Sequence, residues 1–147
     1  MKCAFCNMLS GEKSHRGKNF PFLVSHETRS TVSFLSIDFP AHEDGHTLVI
    51  PKKHFTSIVD IPKKILNELI EHSQKLVKII RKNHSGANIL VNEGKFADQT
   101  VFHTHFHIIP RDRGDLIKIH RWKEKKMSKE KFLEIHEKMK RELNKQR

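Results

Sequence analysis

Val101-Phe102-His103-Thr104-His105-Phe106-His107-Ile108-Ile109 is the stretch on which the reading of this chain turns. Its apolar and β-branched residues predict a strand over residues 101–109, whose successive side chains point to opposite faces. One face then carries Phe102, Phe106 and Ile108 with Thr104 among them, which suits a core. The other carries His103, His105 and His107. Three imidazoles in a row are costly to bury without partners, so packing alone does not account for them. The alternative is a polar sheet face turned to water. Alternate strand residues lie about 6.6 Å apart. At that spacing His103 and His107 are badly placed to share one ion, and a central His105 oriented by its neighbours is the better reading. A neutral imidazole attacks through one nitrogen while an acceptor on the other fixes its tautomer.

Working outward, residues 20–25 and 30–36 read as β-favouring runs around a polar turn at 27–29, a hairpin. Residues 40–45 form a connection, and 46–50 (HTLVI) a central strand ended by Pro51. Between 61 and 83 the period changes. Ile65, Leu66, Leu69, Ile70, Leu76, Val77 and Ile80 form one stripe on a helix, with Asp60 and Pro62 as start signals and Gly86 as the stop. Residues 87–92 read as another strand, and 128–144 as a basic helix with a thin apolar edge of Phe132, Ile135, Met139 and Leu143. The expected fold is α+β, a mostly antiparallel sheet with one long packed helix and a C-terminal basic helix.

The chain has 147 residues and a formal charge of +11. The length suits one core, and the charge favours anionic partners such as nucleotides, nucleic acid or membrane surfaces. Residues 112–147 hold thirteen Lys or Arg against seven Asp or Glu, so much of the basicity belongs to an extension beyond a body at 1–111. No apolar run reaches the roughly 20 residues of a membrane span, and residues 1–6 carry no signal core, so a cytoplasmic protein is expected. Cys3 and Cys6 form a C-x-x-C pair. In a reducing compartment this is a metal or redox site rather than a disulfide, or else a pair of free thiols. Twelve histidines are present, and His15, His26, His42, His72, His84, His120 and His136 fall in loops or on polar helix faces and are given no role.

His103-Thr104-His105-Phe106-His107-Ile108-Ile109 resembles the histidine triad (HIT) superfamily, whose motif is H-x-H-x-H followed by two apolar residues. The flanks Gln99-Thr100-Val101 and Pro110-Arg111 agree, as do the stretch Gly45-His46-Thr47-Leu48-Val49-Ile50-Pro51-Lys52-Lys53-His54 and Asn92-Glu93-Gly94. The likeness covers about residues 3–111. It implies that His105 is the nucleophile of a nucleotide hydrolase, forming a nucleotidyl-histidine at the α-phosphorus of a nucleoside phosphoramidate or dinucleoside polyphosphate. It further implies that His107 contacts the α-phosphate and that His103 and His46 complete the polar network. Gln99 or Thr100 would meet the phosphate or leaving group, and Asn92 the ribose and phosphate.

The base and ribose pocket departs from the family pattern of Phe-Leu-Asp before a proline. Here the run is Phe34-Leu35-Ser36-Ile37-Asp38-Phe39-Pro40, with Ser36 at the acidic place. Phe34 would contact a purine and Asp38 the ribose, or Phe34 is core and Asp38 a loop cap. Relatives with the N-terminal cysteine pair bind structural zinc, and the matching residues are Cys3, Cys6, His54 and His103. The resemblance also implies a homodimer. Trp122 would anchor that dimer or cover its own domain, and the basic run 123–131 would bind nucleic acid or simply be solvated. A nucleotide- or nucleic-acid-binding module with little catalysis, or removal of adenylate from nucleic-acid ends, is the alternative function.

Overall fold

The computed structural model describes residues 3–11, 22–36, 46–119 and 126–145. The expected connection at 40–45, the ribose candidate Asp38, Trp122 and the first residues of the expected hairpin arm lie outside them. Contacts divide the chain into two units, Met1–Ile117 and Lys118–Arg147. Polar contacts tie residues beyond 111 to the first unit. Asp112 accepts from the Ser85 amide at 2.7 Å and pairs with His84 at 2.7 Å. Arg111 forks onto the Asp115 carboxylate through Nε at 2.6 Å and Nη2 at 3.0 Å. His84, expected to be an idle loop residue, is therefore part of this clasp.

Five strands form one antiparallel sheet in the order β1-β2-β3-β5-β4, with β1 Val24–Glu27, β2 Thr31–Leu35, β3 Thr47–Pro51, β4 Gly86–Val91 and β5 Phe106–Arg111. Helix α2, Lys63–Ile80, covers one face, where Val49, Phe106 and Ile108 join Leu69, Ile80, Phe55 and Ile61. The alternate residues Val32, Phe34, Leu48 and Ile50 face the other way and pack with Phe5 of α1, Ala4–Leu9. Each fully buried Val, Leu, Ile or Phe of these two layers contributes about 1.5–3 kcal/mol. The α+β architecture is as expected, and α1 was not anticipated because six residues are too few for a readable period. Among the described residues no helix is long and apolar enough to cross a membrane.

Three local expectations are corrected. Gly86 does not stop α2. The helix ends at Arg81 in an ordinary right-handed conformation, and Gly86 opens β4. Ile70 is not in the buried stripe but 53% exposed. Its place in the packed surface is taken by His72 and Ser73, both 1% exposed, so His72 does not lie on a polar face.

His72 is tolerated there because both its nitrogens are bonded. Nε2–H donates to Ser33 Oγ at 3.0 Å, whose own proton goes to the His26 carbonyl, and Nδ1 meets Thr31 Oγ1 at 2.9 Å. The chain continues from Thr31 through Thr28 to the Glu68 carboxylate. Burial, and then the nearby His26 and Lys75, push the His72 pKa down to about 4. The unfolded ring takes its proton near pH 6.5. Stability from the neutral ring is thus fully present above about pH 6.5 and declines as pH falls toward 4, by on the order of 3 kcal/mol. Urea midpoints measured at pH 7.5 and pH 5 check this, and a His72→Gln protein should show a shallower pH dependence.

The second unit holds α3, Lys129–Asn144, capped by Ser128 Oγ accepting from the Lys131 amide at 3.2 Å. Its apolar residues Phe132, Ile135, Met139 and Leu143 are all exposed.

Candidate active site

The predicted strand over 101–109 begins only at Phe106. The His103 amide bonds back to the Val101 carbonyl at 2.8 Å, a tight three-residue turn, and the Thr104 amide donates to the Phe55 carbonyl at 2.6 Å. Alternation therefore fails upstream of 106. Phe102, expected in the core, is 52% exposed, and His103, Thr104 and His105 are buried in succession. The rings of His105 and His107 still meet, 4.7 Å apart, while the turn sends the His103 ring to Cys3, Cys6 and His54.

The turn delivers His103 to a group of candidate metal ligands. Cys3 sits at the start of α1 and Cys6 one turn along it, while His54 lies in the loop after β3. The ligand atoms of Cys3, Cys6, His54 and His103 all fall within 4.8 Å of one another. His103 Nδ1 is 3.5 Å from Cys3 Sγ and 3.6 Å from Cys6 Sγ, and His54 Nδ1 is 3.4 Å from Cys6 Sγ. A tetrahedral ion with metal–sulfur bonds of about 2.3 Å and metal–nitrogen bonds of about 2.05 Å would set those edges at about 3.6 Å, so the residues fit. His103 Nε2–H donates to the Pro51 carbonyl at 2.9 Å, which leaves Nδ1 as the ligating nitrogen, the support a metal-bound histidine needs. Burial pushes the His103 pKa down to about 4, so the ring is neutral. Without a metal, burial and the neighbouring Cys3 push the Cys6 thiol up to about 11.

The same turn aims the next histidine. His105 Nδ1–H donates to the His103 carbonyl at 2.7 Å. A carbonyl only accepts, so Nδ1 carries the proton and Nε2 the lone pair. His105 is 4% exposed, its ring 4.7 Å from that of His107 and 5.3 Å from Phe5. His107, on β5 opposite Leu48 of β3, stacks on His46 at 5.0 Å and shares a 2.9 Å hydrogen bond between its Nδ1 and His46 Nε2. His46, His105 and His107 thus form one contiguous imidazole cluster beside the candidate metal site, which His103 joins to it.

The family model described as the HIT domain matches residues 21–114. This chain belongs to the HIT family. It is 33% identical to the adenosine 5'-monophosphoramidase of Candida albicans, over 97% of this chain and 92% of that protein. The crystal structure of a histidine triad nucleotide-binding protein from Candida albicans superposes with a TM-score of 0.81 at 33% identity, covering 99% of this chain and 100% of that one. A zinc-bound histidine triad family protein from Mycobacterium smegmatis gives a TM-score of 0.68 at 34% identity, over 84% and 85%.

The remaining candidate residues of this HIT protein are placed unevenly. Gln99 is 4% exposed, and its amide is committed at both ends. Its Oε1 accepts from the Gly94 amide at 2.8 Å, and its Nε2 donates to the Thr56 carbonyl at 2.9 Å. It braces the 94–99 turn against the 55–57 loop, with Gly94 at φ 87, where a Cβ would be strained. Thr100 is exposed beside it, and Asn92 Nδ2 donates to the Asp98 carbonyl at 3.3 Å. Phe34 is 3% exposed, its ring packed against Phe5 and Phe22, so it is a core residue without a face for a purine. Ser36, 6% exposed, donates its amide to the His46 carbonyl at 2.8 Å and holds the loop that carries that histidine. Two contributors escaped sequence reasoning, the His103 carbonyl and the Phe5 ring. The first has no sequence signal. The second stood between two cysteines, where attention goes to sulfur.

Proposed function

We propose that this HIT protein is a nucleotide hydrolase that acts at the α-phosphorus of a purine nucleoside phosphoramidate or dinucleoside polyphosphate, with structural zinc held by Cys3, Cys6, His54 and His103. The observation that carries the reading is the bond from His105 Nδ1–H to the His103 carbonyl, which reserves the Nε2 lone pair for attack. The Candida albicans relative named as an adenosine 5'-monophosphoramidase supports the substrate class. Nε2 attacks phosphorus, the P–N or P–O bond to the leaving group breaks, and that group departs with the bonding pair and takes up a proton. Water then attacks the nucleotidyl-histidine, releasing nucleoside monophosphate and returning the pair to Nε2. When His46 Nε2–H donates to His107 Nδ1, the His107 Nε2–H is the donor for a phosphoryl oxygen as charge builds there, and His46 fixes that tautomer.

Zinc, when bound, supplies structural cross-linking only, tying α1 and the loop after β3 to the turn that carries His103. A homodimer completes the proposal. Incubation with adenosine phosphoramidate and with diadenosine polyphosphate, followed by chromatography, tests it. Adenosine monophosphate is expected from at least one of them, and the absence of product from both would overturn the reading.

A further inference from the structure

Phe5 stands between the two cysteines of the candidate metal site and is 7% exposed. Its ring meets three others edge-on: His105 at 5.3 Å and 80°, His103 at 5.8 Å and 71°, and Phe34 at 5.6 Å and 68°. It therefore touches a candidate ligand of the metal, the candidate nucleophile and the core beneath both. Its own element is short. Helix α1 has six residues, well below the length at which a helix is stable by itself, so the position of Phe5 depends on what holds Cys3 and Cys6.

Cβ and the Nδ1–H bond to the His103 carbonyl together define the plane of the His105 ring, and the bond lasts only while packing keeps the ring from turning about its Cβ–Cγ axis. The Nε2 lone pair lies in the ring plane, so a turn of the plane swings it away from the line of attack. In-line transfer is sensitive to such misalignment. The Phe5 ring, edge-on to His105, and the His107 ring oppose that turn, and of the two only Phe5 belongs to the helix of the candidate metal site. We infer that Phe5 is a positioning residue that couples the Cys3–Cys6 metal knuckle to the orientation of the His105 ring. This rests on His105 being the nucleophile, and it predicts that metal loss weakens turnover by releasing Phe5.

The test compares the metal-loaded full chain with its Phe5→Leu variant, before and after chelation. Three quantities are read: bound metal per chain, kcat and KM on adenosine phosphoramidate, and solvent exchange of the His105 Nδ1–H proton in 15N-histidine-labelled protein. Phe5→Leu should keep its metal and its KM while kcat falls about 10-fold or more and the Nδ1–H proton exchanges faster. Chelation should do the same to the parent protein and add little to the variant, because both changes release one contact. Unchanged kcat and exchange in Phe5→Leu, or independent additive losses, would overturn the inference. If Phe5→Leu sheds its metal, Phe5→Met restores bulk at the knuckle. Metal regained without kcat supports the coupling, and both regained refutes it. The exchange measurement needs no substrate, so it still decides the coupling if the proposed hydrolase activity is not found.

Discussion

Alanine at position 105 is expected to lower kcat for adenosine phosphoramidate by at least about 10⁴-fold, the scale on which loss of an attacking group is felt. Every other group in the cluster stays in place in that protein. The candidate metal ligands, the His46–His107 pair and the 94–99 turn are held by contacts that do not involve the His105 ring. Nucleotide affinity should therefore change by less than about tenfold, since binding and bond-breaking draw on different contacts. Steady-state kinetics together with calorimetric titration of adenosine monophosphate separate the two. Undiminished turnover would remove His105 from the mechanism. A parallel loss of affinity and rate would mean that it binds rather than attacks. His107→Ala should be milder, because in the proposed mechanism His107 stabilises charge and forms no bond to phosphorus.

The second large effect is expected on stability. A Cys6→Ser protein should lose its bound metal and melt at least about 10 °C lower than the parent. Metal sites of two thiolates and two imidazoles yield about 10–16 kcal/mol in small peptides that fold only around the ion. This domain already has two apolar layers, so only a few kcal/mol of that should register as global stability. A few kcal/mol still moves the midpoint of a domain this size by roughly 10 °C. Calorimetry with and without a chelator checks the prediction. The parent protein treated with chelator should fall to the Cys6→Ser midpoint, and Cys6→Ser should be insensitive to it. Equal midpoints for all four samples would show that the cluster holds no stabilising metal.

That His105 and His107 come together was legible from their spacing, but the turn that carries the His103 ring to the cysteines was not. Alternation predicted a single strand. The backbone instead turns at 101–103 because the Thr104 amide is taken by Phe55, a residue about fifty positions away. No local pattern reports such a bond. The 65–69–72–76 stripe was visible in the same way, yet a histidine at 72 reads as polar until Thr31 and Ser33 are seen beneath it. Ile70, apolar and in the right neighbourhood, lies about 100° off that line and faces out. Gln99 illustrates a related limit. An amide beside the histidine motif suggests a ligand contact, and only the fold reveals the two backbone groups that it bonds. The candidate metal ligands were readable through the family resemblance, because Cys3-x-x-Cys6 by itself supplies two thiols and leaves the two distant imidazoles open.

The group that fixes the His105 tautomer is a peptide carbonyl, present whatever side chain stands at 103. The imidazole in the candidate metal site and the carbonyl that sets the tautomer thus belong to one residue but are separable in inheritance. A lineage could discard the imidazole at 103 and still present the next histidine with its proton on Nδ1. To lose that form it would have to reroute the main chain, a change that point substitution seldom achieves.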